Sequence, residues 1–239
     1  MAHWANNWIP PSVFKSGALH DVIYLDDLDK VNIDQYKTIV FINTWVLDDV
    51  QKKLIKEKIE RNNRSLVWLY APGFCNEKKL NKKFIEDVTD FSIQQIKTPG
   101  ATTLVADSNI ANTDRFTIWN NKVDPLFAVK DANTISYGHI ETTDASGFAV
   151  KKMKDHTSWF LSLPVADVSV WRFIFNRSNI HIYEDAEDVL YGGNGILSIH
   201  TLHGGKREIE LKNGKKMSIT LTPNSTTVLN SFTGEVITN

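Results

Sequence analysis

The sequence predicts an α/β fold: a three-layer domain around a parallel sheet over residues 1–178, then a small antiparallel β domain over residues 179–239. Three observations carry this expectation. Between residues 20 and 91, aliphatic runs alternate with amphipathic stretches, the pattern of strand–helix–strand units joined by right-handed crossovers. After Asn179, short alternating segments follow one another between glycine-rich turns, the texture of a small sandwich or barrel. Finally, 239 residues that are 42% hydrophobic and 23% charged hold enough apolar material for a medium core plus a small one.

Taken in order, Val22-Ile23-Tyr24-Leu25 is expected as a short first strand closed by Asp26-Asp27. Thr38-Ile39-Val40-Phe41-Ile42 is a stronger one, since continuous β-branched and aromatic runs suit strands buried on both faces. Residues 48–63 read as a helix with Val50, Leu54, Ile55 and Ile59 on one face and lysines and glutamates opposite. Asp48 or Asp49 can cap its free amides. Ser65-Leu66-Val67-Trp68-Leu69-Tyr70 is the next buried strand, broken by Ala71-Pro72-Gly73. A second helix carries Leu80, Phe84, Ile85, Val88 and Phe91 at helical spacing. From residue 92 to about 155 the pattern weakens to strand-like pieces at 102–105, 116–119, 126–129 and 147–150. Residues 159–163 form another strand, and Pro164 opens a helix bearing Val168, Trp171, Ile174 and Phe175. Beyond 179, strands are expected at 181–183, 189–191, 196–202, 208–211, 217–221, 226–229 and 235–237. Gly192-Gly193-Asn194-Gly195, Gly204-Gly205 and Asn213-Gly214 separate them, the last being the strongest hairpin signal in the chain.

A formal charge of −1 gives no electrostatic reason to expect nucleic acid or an anionic membrane as partner. Lys78, Lys79, Lys82 and Lys83 stand at helical spacing and read as a solvated helix face. No stretch has the length of apolar sequence needed to cross a bilayer, and the first residues lack a leader pattern. A soluble chain is expected, its compartment open. Cys75 is the single cysteine, so no intrachain disulfide can form.

Several stretches together resemble a known family. Residues 36–43, the helix after them, and Val67-Trp68-Leu69-Tyr70-Ala71-Pro72-Gly73 resemble the trimerisation-type domain of family-42-like β-galactosidases. That domain has the class I glutamine amidotransferase-like, flavodoxin-like fold. Ile180-His181-Ile182-Tyr183, Val189-Leu190-Tyr191, Leu197-Ser198-Ile199-His200 and the closing residues 231–236 are similar to the β-rich module that follows it. The resemblance spans residues 11–239, with Trp68-Leu69-Tyr70-Ala71-Pro72-Gly73 its most specific motif. It implies an accessory role in self-association or beside a glycoside hydrolase catalytic domain, without a cofactor. The family's catalytic barrel typically needs about 250 residues, so its glycosidase activity is not carried over. The resemblance also implies a first strand and a full helix ahead of Val13-Phe14-Lys15-Ser16-Gly17, where this sequence has only a short leader containing Trp4 and Trp8. The chain therefore reads as the downstream piece of a longer protein or the product of a gene truncation, with Trp4 and Trp8 as interface anchors for a homo-oligomer or a catalytic domain.

Two further functions are weighed against this one. In amidotransferase-like enzymes a cysteine nucleophile sits on the turn between a strand and a helix. Here Cys75 stands between the strand ending at Tyr70 and a helix expected near Glu77, with His139 and Glu141 downstream. A thiolate at a helix N-terminus gains from the dipole, and an imidazole could take its proton. Against it, Glu77 occupies the place of a second glycine and its charge opposes a thiolate; a small apolar filler is the simpler role. The other function is carbohydrate binding by Trp119, whose indole could stack on a sugar with Asn120, Asn121 and Asp124 beside it. No metal site is expected: His200 and His203 lack a third ligand at suitable spacing, and Asp26-Asp27 read as a loop start or cap.

Overall fold

The computed structural model describes residues 2–76, 78–97, 103–107, 110, 114–118, 123–141 and 143–238. The chain divides into two compact units, one of Met1–Ile9 with Ile23–Asp167, the other of Pro10–Val22 with Val168–Asn239. The helix α1 (Ala2–Phe14) contributes residues to both. The sequence boundary expected at 178 falls at the end of a helix that counts with the second unit.

The first unit is built on β1 (Thr38–Phe41) and β2 (Arg64–Leu69), which pair in parallel. Between them α2 (Asp49–Leu54) opens with a capping box: the Gln51 amide donates to Asp48 Oδ1 at 2.7 Å and the Asp48 amide to Gln51 Oε1 at 3.1 Å. The helix then widens into a π turn, Ile55–Ile59, which buries Ile55 and Ile59. Val50, expected on the same face, is exposed. At about 100° per residue it lies roughly 140° around the helix from Ile55.

The helix end meets one buried side chain. Arg64 is 1% exposed, and its guanidinium donates to the carbonyls of Lys58 (3.0 Å), Ile59 (2.8 Å), Ile33 (3.1 Å) and Tyr36 (2.8 Å) and to Asp34 Oδ1 (3.2 Å). Carbonyls left unpaired by the end of the helix are thereby satisfied.

After β2, α3 (Lys82–Thr89) starts at the N-cap Asn81, whose side chain accepts from the Lys83 amide at 2.9 Å. It buries Ile85, Val88 and Thr89 and stops at Asp90, whose φ of 63° is left-handed. Leu80, expected on its stripe, lies before the helix and is exposed. The lysine-rich face is solvated and paired along the helix, Lys82 with Glu86 at 2.9 Å and Lys83 with Asp87 at 3.1 Å.

The remaining strands are β3 (Ile93–Ile96), β4 (Thr103–Ala106), β5 (Arg115–Thr117), β6 (Leu126–Val129), β7 (Ile135–Ile140), β8 (Ser146–Lys152) and β9 (His156–Leu161). With β1 and β2 they form a nine-stranded sheet in the order β1-β2-β9-β8-β7-β4-β5, the β3–β6 pair joining at β8. The sheet is mixed, a correction to the parallel one expected. Only β1, β2 and β9 run in parallel, and every other pair is antiparallel. The cause is chain length between strands: β7–β8 and β8–β9 are joined by hairpin-sized turns, whereas a parallel pair needs a crossover. A second correction concerns Val22–Leu25, which is no strand. Val22 and Tyr24 are 74% and 79% exposed. A 3₁₀ turn, Leu25–Asp27, stands there, and the chain buries Leu28 and Ile33 instead.

Trp68 anchors the parallel side of the sheet, on β2 between β1 and β9. Its ring stacks on Phe41 with centroids 4.0 Å apart, and its Nε1–H donates to Ser158 Oγ at 3.0 Å. Ser158 in turn donates to the Thr89 carbonyl at 2.7 Å. This relay leaves no buried polar atom of the three idle and ties β2, β9 and α3 together.

In the second unit, α4 (Val168–Arg177) buries Val170, Trp171, Ile174 and Phe175. Trp171 Nε1–H donates to Ser12 Oγ at 2.8 Å, and Arg172 to the carbonyls of Ser16 (3.0 Å) and Lys15 (3.2 Å). A four-stranded antiparallel sheet, β10-β11-β14-β15, is built from β10 (Val189–Gly193), β11 (Ile196–Thr201), β14 (Ser225–Asn230) and β15 (Val236–Thr238). A separate hairpin pairs β12 (Gly205–Glu210) with β13 (Lys216–Leu221). The β10–β11 turn is Asn194-Gly195, with φ of 52° and 83°, the mirror-type turn that matches strand twist. Residues 181–183 were expected as a strand. They make only single backbone bonds, from Tyr183 N–H to the Gly17 carbonyl and from Glu210 N–H to the Tyr183 carbonyl, both 2.9 Å. Gly17 has φ +84°, and a Cβ there would overlap the Glu184 carbonyl, so only glycine fits. Glu184 itself is 4% exposed, and its Oε1 has no hydrogen-bond partner among the described residues.

Two predictions follow from these buried charges. Arg64→Met should lower stability by about 3 kcal/mol, because several carbonyls lose their donor in an apolar setting; Arg64→Lys should recover little of it. The urea midpoint checks both. Burial pushes the Glu184 pKa up to about 7, with Asp188 adding to it while the Ala186 amide, Arg172 and Arg207 oppose it. The folded state thus holds this proton more tightly than the unfolded chain. The stabilising contribution is complete below about pH 4 and is lost as the pH rises through 7. Glu184→Gln should flatten that slope, which is worth up to about 3 kcal/mol between pH 5 and 8; equal slopes in both proteins would refute the assignment.

Candidate functional site

At the end of the sheet where β2 and β9 begin, three separate segments bring ionisable side chains together. Glu60 follows the π turn directly, its amide donating to the Ile55 carbonyl at 3.1 Å. Asp90 is the left-handed residue that stops α3. His156 opens β9, in register with Arg64 of β2. One donor atom from each of Glu60, Asp90 and His156 lies within 4.8 Å of the others.

His156 is 8% exposed, and its Nε2 stands 3.3 Å from Asp90 Oδ2. That is longer than the roughly 2.7–3.2 Å of a good N–H···O bond. Glu60 Oε1 is out of reach of solvent and has no hydrogen-bond partner among the described residues. Burial raises the Glu60 pKa, the Asp90 charge raises it further, and His156 and Lys56 oppose them. The Asp90 carbonyl accepts from Lys151 Nζ at 2.7 Å, while that ammonium pairs with Asp131 at 2.6 Å. Glu60 and Asp90 line a groove of about 820 Å³, with Lys52, Lys56, Lys83 and Phe91 among the other walls. Chemically the group can share a proton between two carboxylates or hold a cation.

The described residues among those singled out from the sequence lie elsewhere. Cys75 is half-buried; its thiol donates to the Asn76 carbonyl at 3.0 Å, and its backbone bridges to Val46 and Leu80. Because α3 starts at Lys82, the thiol is not at a helix N-terminus. His139 lies on β7, paired with Val105 and Ser146, and Glu141 forms an ion pair with Arg115. Strands β9 and β8 lie between β2 and β7, a separation of roughly 14 Å at the usual strand spacing. No hydrogen bond joins the thiol to that imidazole among the described residues. Trp119, Asn120, Asn121 and Glu77 lie outside the described residues. Asp124 is described: its charge, after burial, helps push the Tyr70 pKa up to about 12, and the Tyr70 hydroxyl donates to the Pro125 carbonyl at 2.6 Å.

Trp4 donates from Nε1 to the Pro164 carbonyl at 2.9 Å, and Trp8 stacks on it at 5.4 Å while remaining 48% exposed. Asp26 accepts from Gln51 Nε2 at 2.8 Å, and His200 Nδ1 lies 2.9 Å from Thr226 Oγ1. Sequence reasoning missed Glu60, Asp90 and His156 altogether. Their spacing in the chain matches no ligand motif, and only the strand register places His156 beside the helix ends.

No family model matches the chain, and no curated protein matches it. Among solved structures, the β-galactosidase of Bacillus circulans sp. alkalophilus superposes on 91% of this chain with a TM-score of 0.64 at 9% identity. The cold-adapted β-galactosidase of Rahnella sp. R3 superposes on 91% with a TM-score of 0.63, also at 9% identity. The chain spans 35% of the length of each, and what it shares with them is the fold. Among the described residues no helix is long and apolar enough to cross a membrane.

The Cys75 geometry has a measurable consequence. Its thiol should react with a maleimide or disulfide reagent at neutral pH no faster than free cysteine, since no helix terminus or imidazole activates it. A rate ten times faster would argue for an activated nucleophile.

Proposed function

We propose that the chain is a non-catalytic accessory region of the β-galactosidase-like glycoside hydrolase kind, of the trimerisation type with a glutamine amidotransferase-like fold. It acts by self-association, or by packing beside a glycoside hydrolase catalytic domain. The observation that carries this reading is the fold shared over 91% of the chain with about a third of two β-galactosidases. The topology is consistent with it: a mixed sheet with three parallel strands along one side is not the eight-stranded parallel barrel on which such enzymes carry their paired carboxylates. Trp8 supports the association. An indole that is 48% exposed and held in place by stacking on Trp4 is an anchor whose ordering cost is already met before a partner arrives.

Sedimentation velocity at micromolar concentration should give a species heavier than the 27.1 kDa chain, and Trp8→Glu should shift it toward monomer. A clean monomer for the unaltered chain would remove self-association from the proposal. Chromogenic galactosides should give no turnover above a buffer blank; turnover that follows the protein through purification would overturn the non-catalytic role.

A further inference from the structure

We infer that Glu60, Asp90 and His156 bind one divalent transition-metal ion of the zinc type, clipping together the end of the π turn, the end of α3 and the start of β9.

The donor chemistry selects the ion. One imidazole nitrogen and two carboxylate oxygens make a mixed set suited to a borderline ion such as Zn²⁺, whereas Ca²⁺ and Mg²⁺ prefer larger all-oxygen shells. The distances agree. Two ligands of a tetrahedral ion at about 2.0–2.1 Å stand roughly 3.3–3.4 Å apart, and His156 Nε2 to Asp90 Oδ2 is 3.3 Å. The same separation is long for a hydrogen bond, so a direct bond does not account for it well.

Glu60 supplies the independent observation. Its Oε1 is shut off from solvent and unpaired among the described residues. An idle carboxylate oxygen of this kind is costly unless a proton or a cation meets it. The field favours a cation, since α3 directs its negative end toward Asp90. Of the nearby ammonium groups, Lys151 is held by Asp131 and the Asp90 carbonyl, and Lys56 is exposed on the rim of the groove. Three protein donors leave one position of a four-coordinate ion for a water molecule, and two of those donors, Glu60 and Asp90, line the solvent-open groove. A buried imidazole also gives the ion a ligand fixed by the sheet register.

The test uses the full chain, stripped with a chelator and titrated with zinc chloride by calorimetry and by thermal unfolding. One equivalent should bind, and Tm should rise by roughly 5 °C when the ion is at about a hundred times its Kd. Cobalt(II) should bind in competition with zinc and give the visible absorption of a four-coordinate centre; millimolar magnesium should not displace it. Glu60→Gln and His156→Gln should each weaken zinc binding at least about tenfold, and His200→Gln should leave it unchanged. Wild-type affinity in both Glu60→Gln and His156→Gln would overturn the assignment, as would the absence of saturable binding below about 100 μM. Should His156→Gln fail to fold, Glu60→Gln decides alone, because its side chain reaches the groove and the substitution keeps its shape.

Discussion

A single buried guanidinium organises the first unit. Arg64 stands at the first position of β2, and from there it closes the π turn by bonding Lys58 and Ile59, fixes a second 3₁₀ turn, Ile33–Gln35, through Ile33 and Asp34, and binds the Tyr36 carbonyl just before β1. A planar fork with five N–H donors can serve carbonyls arriving from several directions at once. A hydrophobic residue there would leave those carbonyls without water or partner. The position therefore couples helix termination to strand initiation, two events that are otherwise separate.

The same residue sets up the carboxylate–imidazole cluster. Because Arg64 draws in the carbonyls at the end of the π turn, the chain turns outward at Glu60, whose φ and ψ of −75° and 53° are not helical. Because Arg64 pairs in register with His156, the imidazole arrives at the same end of the sheet. The Trp68–Ser158–Thr89 relay then holds the last turn of α3 against β9, which brings Asp90 to the other side. Helix widening of this kind often accompanies functional sites, and here its effect is a change in the direction of one side chain.

The second unit handles buried charge differently. Asp188 and Arg207 meet through two bonds, Nε to Oδ2 at 2.5 Å and a terminal NH₂ to Oδ1 at 3.2 Å, with Thr201 as a further acceptor at 3.1 Å. Such a forked pair retains its interaction energy when removed from water. Glu184 has no comparable partner and instead holds its proton to higher pH. Leu190, Leu197, Ile199, Ile209 and Leu229 form the apolar core of this unit.

Much of the fold was legible residue by residue. The runs at 38–42 and 65–70 became β1 and β2, Asp48 became the cap of α2, and the glycine–asparagine turns became the hairpin of β10 and β11, because each depends on forces acting within a few residues. Val50, Leu80 and the 22–25 run were misassigned for the same reason: apolar character shows what can be buried, but not which face meets a neighbour. The parallel run of β1, β2 and β9 was also expected, but the antiparallel direction of the other strands, the strand order and the meeting of Glu60, Asp90 and His156 were decided by the tertiary structure alone. Those choices rest on the free energy of contacts between segments far apart in the chain, and such contacts leave no periodic trace in a single sequence.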